Sequence, residues 1–94
     1  MEQVIFIKFI NLSSSYLILE TEKLALFFKF KIKKIIHKLN GALVEIKSYH
    51  LPLLTQNTNI EIFYEDDFYN SNSTLNLTKY FNFNSYNKLI KYKY

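Results

Sequence analysis

Aromatic and basic side chains are interspersed near the C-terminal end of the chain, a pattern typical of RNA-binding strands. The lysines are Lys79, Lys88, Lys91 and Lys93, and the rings are Tyr80, Phe81, Phe83, Tyr86, Tyr92 and Tyr94. Rings can stack on unpaired bases while ammonium groups reach phosphates. The alternative is a core strand whose lysines extend along apolar surface to water. Both interpretations can be true of one strand, because successive side chains of a strand point to opposite faces.

No set of residues in the sequence supports catalysis. His37 and His50 have no partner at metal-ligand spacing, and the chain has no cysteine. One glycine cannot make a phosphate-binding loop. The run Glu65-Asp66-Asp67 could bind a cation, but three adjacent carboxylates without an ordered ligand pattern are usually solvated. We therefore expect no enzyme, no cofactor, no metal site and no small-molecule substrate.

The size and charge of the chain favour a domain that is completed by large partners. Its 94 residues are expected to bury only about 60–65% of the unfolded surface. The net charge of +4 suits a polyanionic partner. The competing explanation is a lysine-biased genome, which would give a basic protein whatever its function.

The residue usage favours an organelle as the place of synthesis. Lysine is used twelve times and arginine never, and Ile, Asn, Lys, Phe and Tyr make up more than half of the chain. Those five residue types share A/T-rich codons. No apolar run approaches the roughly 20 residues of a membrane-spanning helix. The N-terminus matches neither a signal peptide nor a transit peptide, so we expect a mitochondrial protein, with a plastid as the alternative.

The hydrophobic pattern predicts an α+β fold. Short β-branched and aromatic runs predict strands over residues 4–10, 16–19, 42–49 and 60–64. Apolar residues at three- and four-residue spacing predict a helix over 22–39, with Thr21 as N-cap and Gly41 as C-cap. Residues 65–78 are expected to be a solvated loop. The sum is a shortened ferredoxin-like (split βαβ) domain with one long helix and an extended β-hairpin.

Basic residues fall mostly off the apolar stripe of the predicted helix. They are Lys29, Lys33, Lys34, His37 and Lys38. They could form a phosphate-binding face, or they could be the solvated side of an amphipathic helix.

Residues 80–90 resemble the signature strand of the S-ten family of small-subunit ribosomal proteins. The family usually keeps Phe, Thr, a basic residue, Leu and Ile where this chain has Phe81, Ser85, Lys88, Leu89 and Ile90. Its order of a helix closed by Gly plus a small residue, then Leu-Pro and Thr, is matched by Gly41-Ala42, Leu51-Pro52 and Thr55. The chain departs from the family where Asn84 replaces the usual Arg and Tyr86 the usual His.

The resemblance implies a structural constituent of the organellar small ribosomal subunit head. Such a protein binds rRNA and neighbouring ribosomal proteins, and bears on tRNA binding. Residues 1–15 would be an N-terminal extension with a strand, and 16–94 an S-ten-like domain lacking the usual C-terminal helix and strand. A second chain is expected to supply that missing half. The predicted RNA-binding residues are Lys79, Asn84, Ser85, Tyr86, Asn87 and Lys88.

A function of another class is also compatible with the sequence. A small accessory subunit of an organellar membrane protein complex could use the apolar helix and the N-terminal strand as interaction surfaces. Co-purification with rRNA separates the two hypotheses.

Overall fold

The first strand, β1 (Glu2–Phe9), lies in the interior of a sheet and is apolar on both faces. The computed structural model describes residues 1–69, and in them β1 pairs on one side with β3 (Gly41–Lys47) and on the other with β4 (Ile60–Tyr64). Ile5, Phe6 and Ile7 are fully buried in succession. A strand covered on both faces needs such a continuous apolar run, whereas a half-exposed strand alternates.

The four strands form an antiparallel sheet in the order β2-β3-β1-β4, where β2 spans Lys31–Ile36. The helix α1 (Leu17–Phe28) connects β1 to β2, and the short helix α2 (Leu51–Leu54) connects β3 to β4. Because β3 lies between β1 and β2, the first three elements form a split βαβ unit. The α+β prediction is confirmed, and the arrangement is compatible with a small split-βαβ domain.

The main core lies between one sheet face and the helices. The sheet contributes buried residues from all four strands, and α1 and α2 contribute Leu17, Phe28, Leu51 and Leu54. Thr21, which the sequence suggested as an N-cap, lies inside α1 instead. It is fully buried, and its hydroxyl donates to the Leu17 carbonyl oxygen at 2.6 Å, so its polar atom is satisfied within the helix.

The predicted helix over residues 22–39 is wrong beyond Phe28. Lys29 adopts a left-handed conformation with φ 57° and ends α1. The isoleucines that completed the apolar stripe lie in β2, where Ile32 pairs with Val44 and Ile36 with Gly41. Isoleucine is β-branched and packs well on a pleated surface, so the strand is the better use of this segment.

The Asn40-Gly41 pair belongs to a hairpin and does not cap a helix. A 3₁₀ turn (His37–Leu39) follows β2, Asn40 has φ 52°, and Gly41 begins β3. An Asn-Gly pair between two apolar runs is a strong short-range signal for a hairpin. The side-chain amide of Asn40 also donates to the Leu12 carbonyl oxygen at 2.8 Å, which ties this turn to the end of β1.

Two smaller expectations also change. The predicted strand over 16–19 is instead the end of a 3₁₀ turn (Ser14–Tyr16) and the start of α1. Pro52 lies in the first turn of α2, where proline costs no hydrogen bond. The start of the predicted loop is a 3₁₀ helix (Glu65–Tyr69), in which Phe68 is fully buried.

The domain boundary predicted after Ser15 stays a prediction, as does the second chain expected to complete the fold. Within the described residues, β1 and the elements after it share one sheet. The predicted strands over 4–10, 42–49 and 60–64 correspond to β1, β3 and β4.

Lys29→Gly is expected to raise the free energy of unfolding by about 0.5–1 kcal/mol, because glycine adopts the left-handed conformation without steric cost. Lys29→Ala is the matched control: it removes the same charge but keeps the Cβ atom. Urea denaturation followed by circular dichroism measures both. Equal stabilisation by alanine would mean that the charge, and not the backbone conformation, limits stability here.

Candidate nucleic-acid interface

The six residues predicted to contact RNA lie outside the described residues 1–69 and stay predictions. They are Lys79, Asn84, Ser85, Tyr86, Asn87 and Lys88. The described residues that could form an interface therefore lie in the four-stranded sheet and its helices.

Charge is segregated across this sheet. Residues 29–38, which include β2, contain five lysines and no carboxylate, whereas residues 61–67, which begin in β4, contain four carboxylates and no lysine. These two strands are the outermost of the four, about 14 Å apart at ordinary strand spacing. The β2 edge is therefore the side that attracts polyanions.

A hydrogen bond near the start of β2 joins two chain segments. The Nδ1–H of His50 donates to the Phe28 carbonyl oxygen at 2.6 Å. A carbonyl can only accept, so this hydrogen bond assigns a proton to Nδ1. It fastens the C-terminal end of α1 to the 3₁₀ turn Ser48–His50 that follows β3.

Ring contacts continue this connection to the surface on both sides. The Phe27 and Phe28 ring centroids are 4.8 Å apart, and those of Tyr49 and His50 are 4.3 Å apart, both in edge-to-face geometry. Lys47 Nζ lies 6.0 Å from the centroid of the Tyr49 ring, at the outer limit of a cation–π contact. Each exposed ring therefore packs against the ring of its sequence neighbour, Phe28 or His50.

We name this surface the aromatic–basic corner and define it by Lys29, Lys31, Lys47 and Tyr49. All four residues are exposed, and Tyr49 is 66% accessible. Lys31 is the register partner of Glu45, and Lys47 follows Glu45 by two residues on β3, a diagonal separation of about 7–8 Å. Exposed rings beside exposed lysines can stack on bases and bind phosphates at one place.

The other lysines of β2 are less available. Lys33 Nζ lies 3.4 Å from a carboxylate oxygen of Glu45, and the two side chains are only 9% and 18% exposed. Lys34 is half-buried and also engaged in a polar or ring contact. Lys38 is exposed, but it lies in the hairpin turn at the opposite end of β2. The phosphate-binding face that the sequence suggested on a helix is thus divided among a strand and two turns.

Sequence reasoning did not include Lys31, Lys47 and Tyr49 among the candidate binding residues. Lys31 lies in β2, which the sequence predicted to be part of a helix. Lys47 and Tyr49 were included in a strand that in fact ends at Lys47. The available signal was the placing of aromatic residues next to lysines at 27–31 and again at 47–49.

No significant match was found among protein-family models, curated proteins or solved structures. In residues 1–69 no group of three or more His, Asp or Glu side chains could hold a metal ion. No helix of this described part is long and apolar enough to cross a membrane. The aromatic–basic corner is the candidate functional site within residues 1–69.

Proposed function

We propose that this chain is an architectural RNA-binding protein of an organellar small ribosomal subunit, with no catalytic role. The observation that carries the proposal is the aromatic–basic corner, where Lys47 Nζ lies 6.0 Å from the centroid of the exposed Tyr49 ring and Lys31 is a diagonal neighbour of Lys47. The resemblance of residues 80–90 to the S-ten signature strand supports the choice of a ribosome over other ribonucleoproteins.

The physical basis of RNA binding at the corner is phosphate neutralisation. Each lysine that contacts a phosphate releases counterions condensed on the RNA, and the affinity then falls as salt rises. Lys29, Lys31 and Lys47 are exposed, so they can reach a phosphate without breaking the buried Lys33–Glu45 ion pair. The proposed RNA-binding residues also include Lys79 and residues 84–88.

The opposite edge of the sheet suits a basic protein neighbour. Glu61, Glu65 and Asp66 are exposed on or directly after β4. Ribosomal proteins are commonly basic, so a carboxylate-rich edge facing away from RNA fits a position beside one of them in the subunit head. We place the protein in the mitochondrion, with a plastid as the alternative.

One observation is also compatible with the competing function, an accessory subunit of an organellar membrane protein complex. The outer face of α1 carries Leu19 and Leu26, seven residues apart, and Leu26 is 81% exposed. Two turns of exposed leucine can pack against an apolar partner. This stripe would also suit a protein neighbour in a ribosome, so it does not decide between the two functions.

Equilibrium binding to RNA tests the proposed function. The purified full chain is titrated against fluorescently labelled fragments of small-subunit rRNA, and anisotropy is followed at several salt concentrations. We expect binding whose affinity falls as salt rises. Absence of binding at low salt would overturn the proposal, and recovery of the chain with membrane proteins would then favour the competing function.

A further inference from the structure

We infer that the aromatic–basic corner binds unpaired RNA, with a base stacking on Tyr49 while the exposed lysines beside it neutralise phosphates. This inference rests on the proposed function and specifies the class of RNA. It assigns the Tyr49 ring, as well as the charges, a part in recognition.

The Tyr49 ring is exposed and packs on an anchored neighbour. It contacts His50 edge-to-face with an interplanar angle of 74°, and the His50 imidazole is hydrogen-bonded to the backbone of α1. A ring that is already positioned loses little conformational freedom when a base stacks on it, so the contact contributes more to affinity.

An RNA duplex has no free base face on which the Tyr49 ring could stack. In an A-form helix the base faces are stacked on one another, and the deep, narrow major groove excludes side chains. A duplex would therefore engage only Lys29, Lys31 and Lys47. Unpaired nucleotides present both a base face and a phosphate, and the corner has both kinds of group within one surface.

The fold brings Lys31, Lys47 and Tyr49 together. Lys47 Nζ lies 6.0 Å from the centroid of the Tyr49 ring, and Lys31 is the diagonal neighbour of Lys47 on the adjacent strand. A nucleotide whose base stacks on Tyr49 would therefore have two ammonium groups near its phosphates.

The test compares a single-stranded RNA of about ten nucleotides, within the site sizes of single-strand binders, with the same sequence annealed to its complement. Binding of the full chain is followed by fluorescence anisotropy. We expect tighter binding of the single strand. Tyr49→Leu is expected to weaken that binding by about five-fold or more, as loss of a stacked base contact does, and to leave duplex binding unchanged.

Two further variants separate stacking from other causes. Tyr49→Phe retains the ring and is expected to restore single-strand affinity lost in Tyr49→Leu. Tyr16→Leu removes an exposed tyrosine at the other end of α1 and is expected to have no effect. Thermal melting followed by circular dichroism checks that each variant is folded.

The outcomes distinguish this inference from the proposed function. Equal binding of single strand and duplex, with Tyr49→Leu unchanged on both, would overturn the inference and leave RNA binding intact. Binding to neither RNA would overturn the proposed function itself.

Discussion

Replacing Lys29, Lys31 and Lys47 together by glutamine is expected to weaken RNA binding by about 100-fold. Each of these exposed lysines can neutralise one phosphate. A lysine close to an anionic surface contributes about 1 kcal/mol, and about 3 kcal/mol in total corresponds to that loss of affinity. Titration of labelled single-stranded RNA by anisotropy measures the change.

The salt dependence gives an independent readout of the same variant. Each lysine–phosphate contact with a single strand contributes about 0.7 to the slope of log affinity against log salt. Removing three contacts should therefore reduce the slope by about 2. A general loss of structure would not produce this proportional change.

Single replacements supply the charge-matched control for the lysine triple. Lys31→Gln and Lys38→Gln each remove one charge from an exposed side chain, but Lys38 lies in the hairpin turn at the far end of β2. We expect Lys31→Gln to weaken binding more. Equal effects of the two, or an unchanged slope in the triple variant, would mean that RNA contacts another surface.

Phe6→Ala is expected to lower the free energy of unfolding by about 3–5 kcal/mol, the cost of removing a buried phenylalanine side chain. Phe6 is fully buried on the sheet face opposite α1, where it clusters with Val4, Ile36, Leu43 and Phe68. Small domains have a free energy of unfolding of about 5–15 kcal/mol, so this loss is a large fraction of the whole. Urea denaturation followed by circular dichroism measures it.

The position of Phe6 explains why this site cannot relax. A Cβ atom on Gly41 would lie 2.5 Å from the Phe6 ring, so the ring covers the glycine closely, and its centroid is 6.4 Å from that of Phe63. Deleting the ring would leave a cavity next to Gly41 of β3. The cavity cannot be filled by moving a flexible side chain alone.

Phe27→Ala is the matched control for Phe6→Ala, since it makes the same chemical change at a ring that is 75% exposed. Its effect on stability is expected to stay within about 0.5 kcal/mol. A similar loss in the two variants would contradict the described packing of the second sheet face.

The sequence predicted three of the four strands because their apolar runs are short and bounded by turn residues. It failed at residues 29–39 because isoleucine at three- and four-residue spacing satisfies the helical period as well as a bulged strand. The helix ends at Lys29 because this residue adopts a left-handed conformation. Glycine or asparagine usually occupies such a position, so a lysine there does not predict the end of a helix.

The candidate interface was less accessible to sequence reasoning than the fold. Its members lie in two segments, 29–31 and 47–49, which are joined by the His50–Phe28 hydrogen bond. Sequence reasoning recognised a possible phosphate-binding set on a helix, consisting of Lys29, Lys33, Lys34, His37 and Lys38, and did not include Lys31. The hairpin instead buries Lys33 against Glu45 and leaves Lys31 beside Lys47.

The proposal that the chain is a component of a small ribosomal subunit is tested most directly by sedimentation. An organelle lysate is sedimented in magnesium at moderate salt, and the chain is followed by mass spectrometry across the gradient. The account predicts that the chain peaks with the small-subunit rRNA and shifts when magnesium is removed. Recovery of the chain in the membrane fraction without rRNA would contradict it and would support the accessory-subunit function.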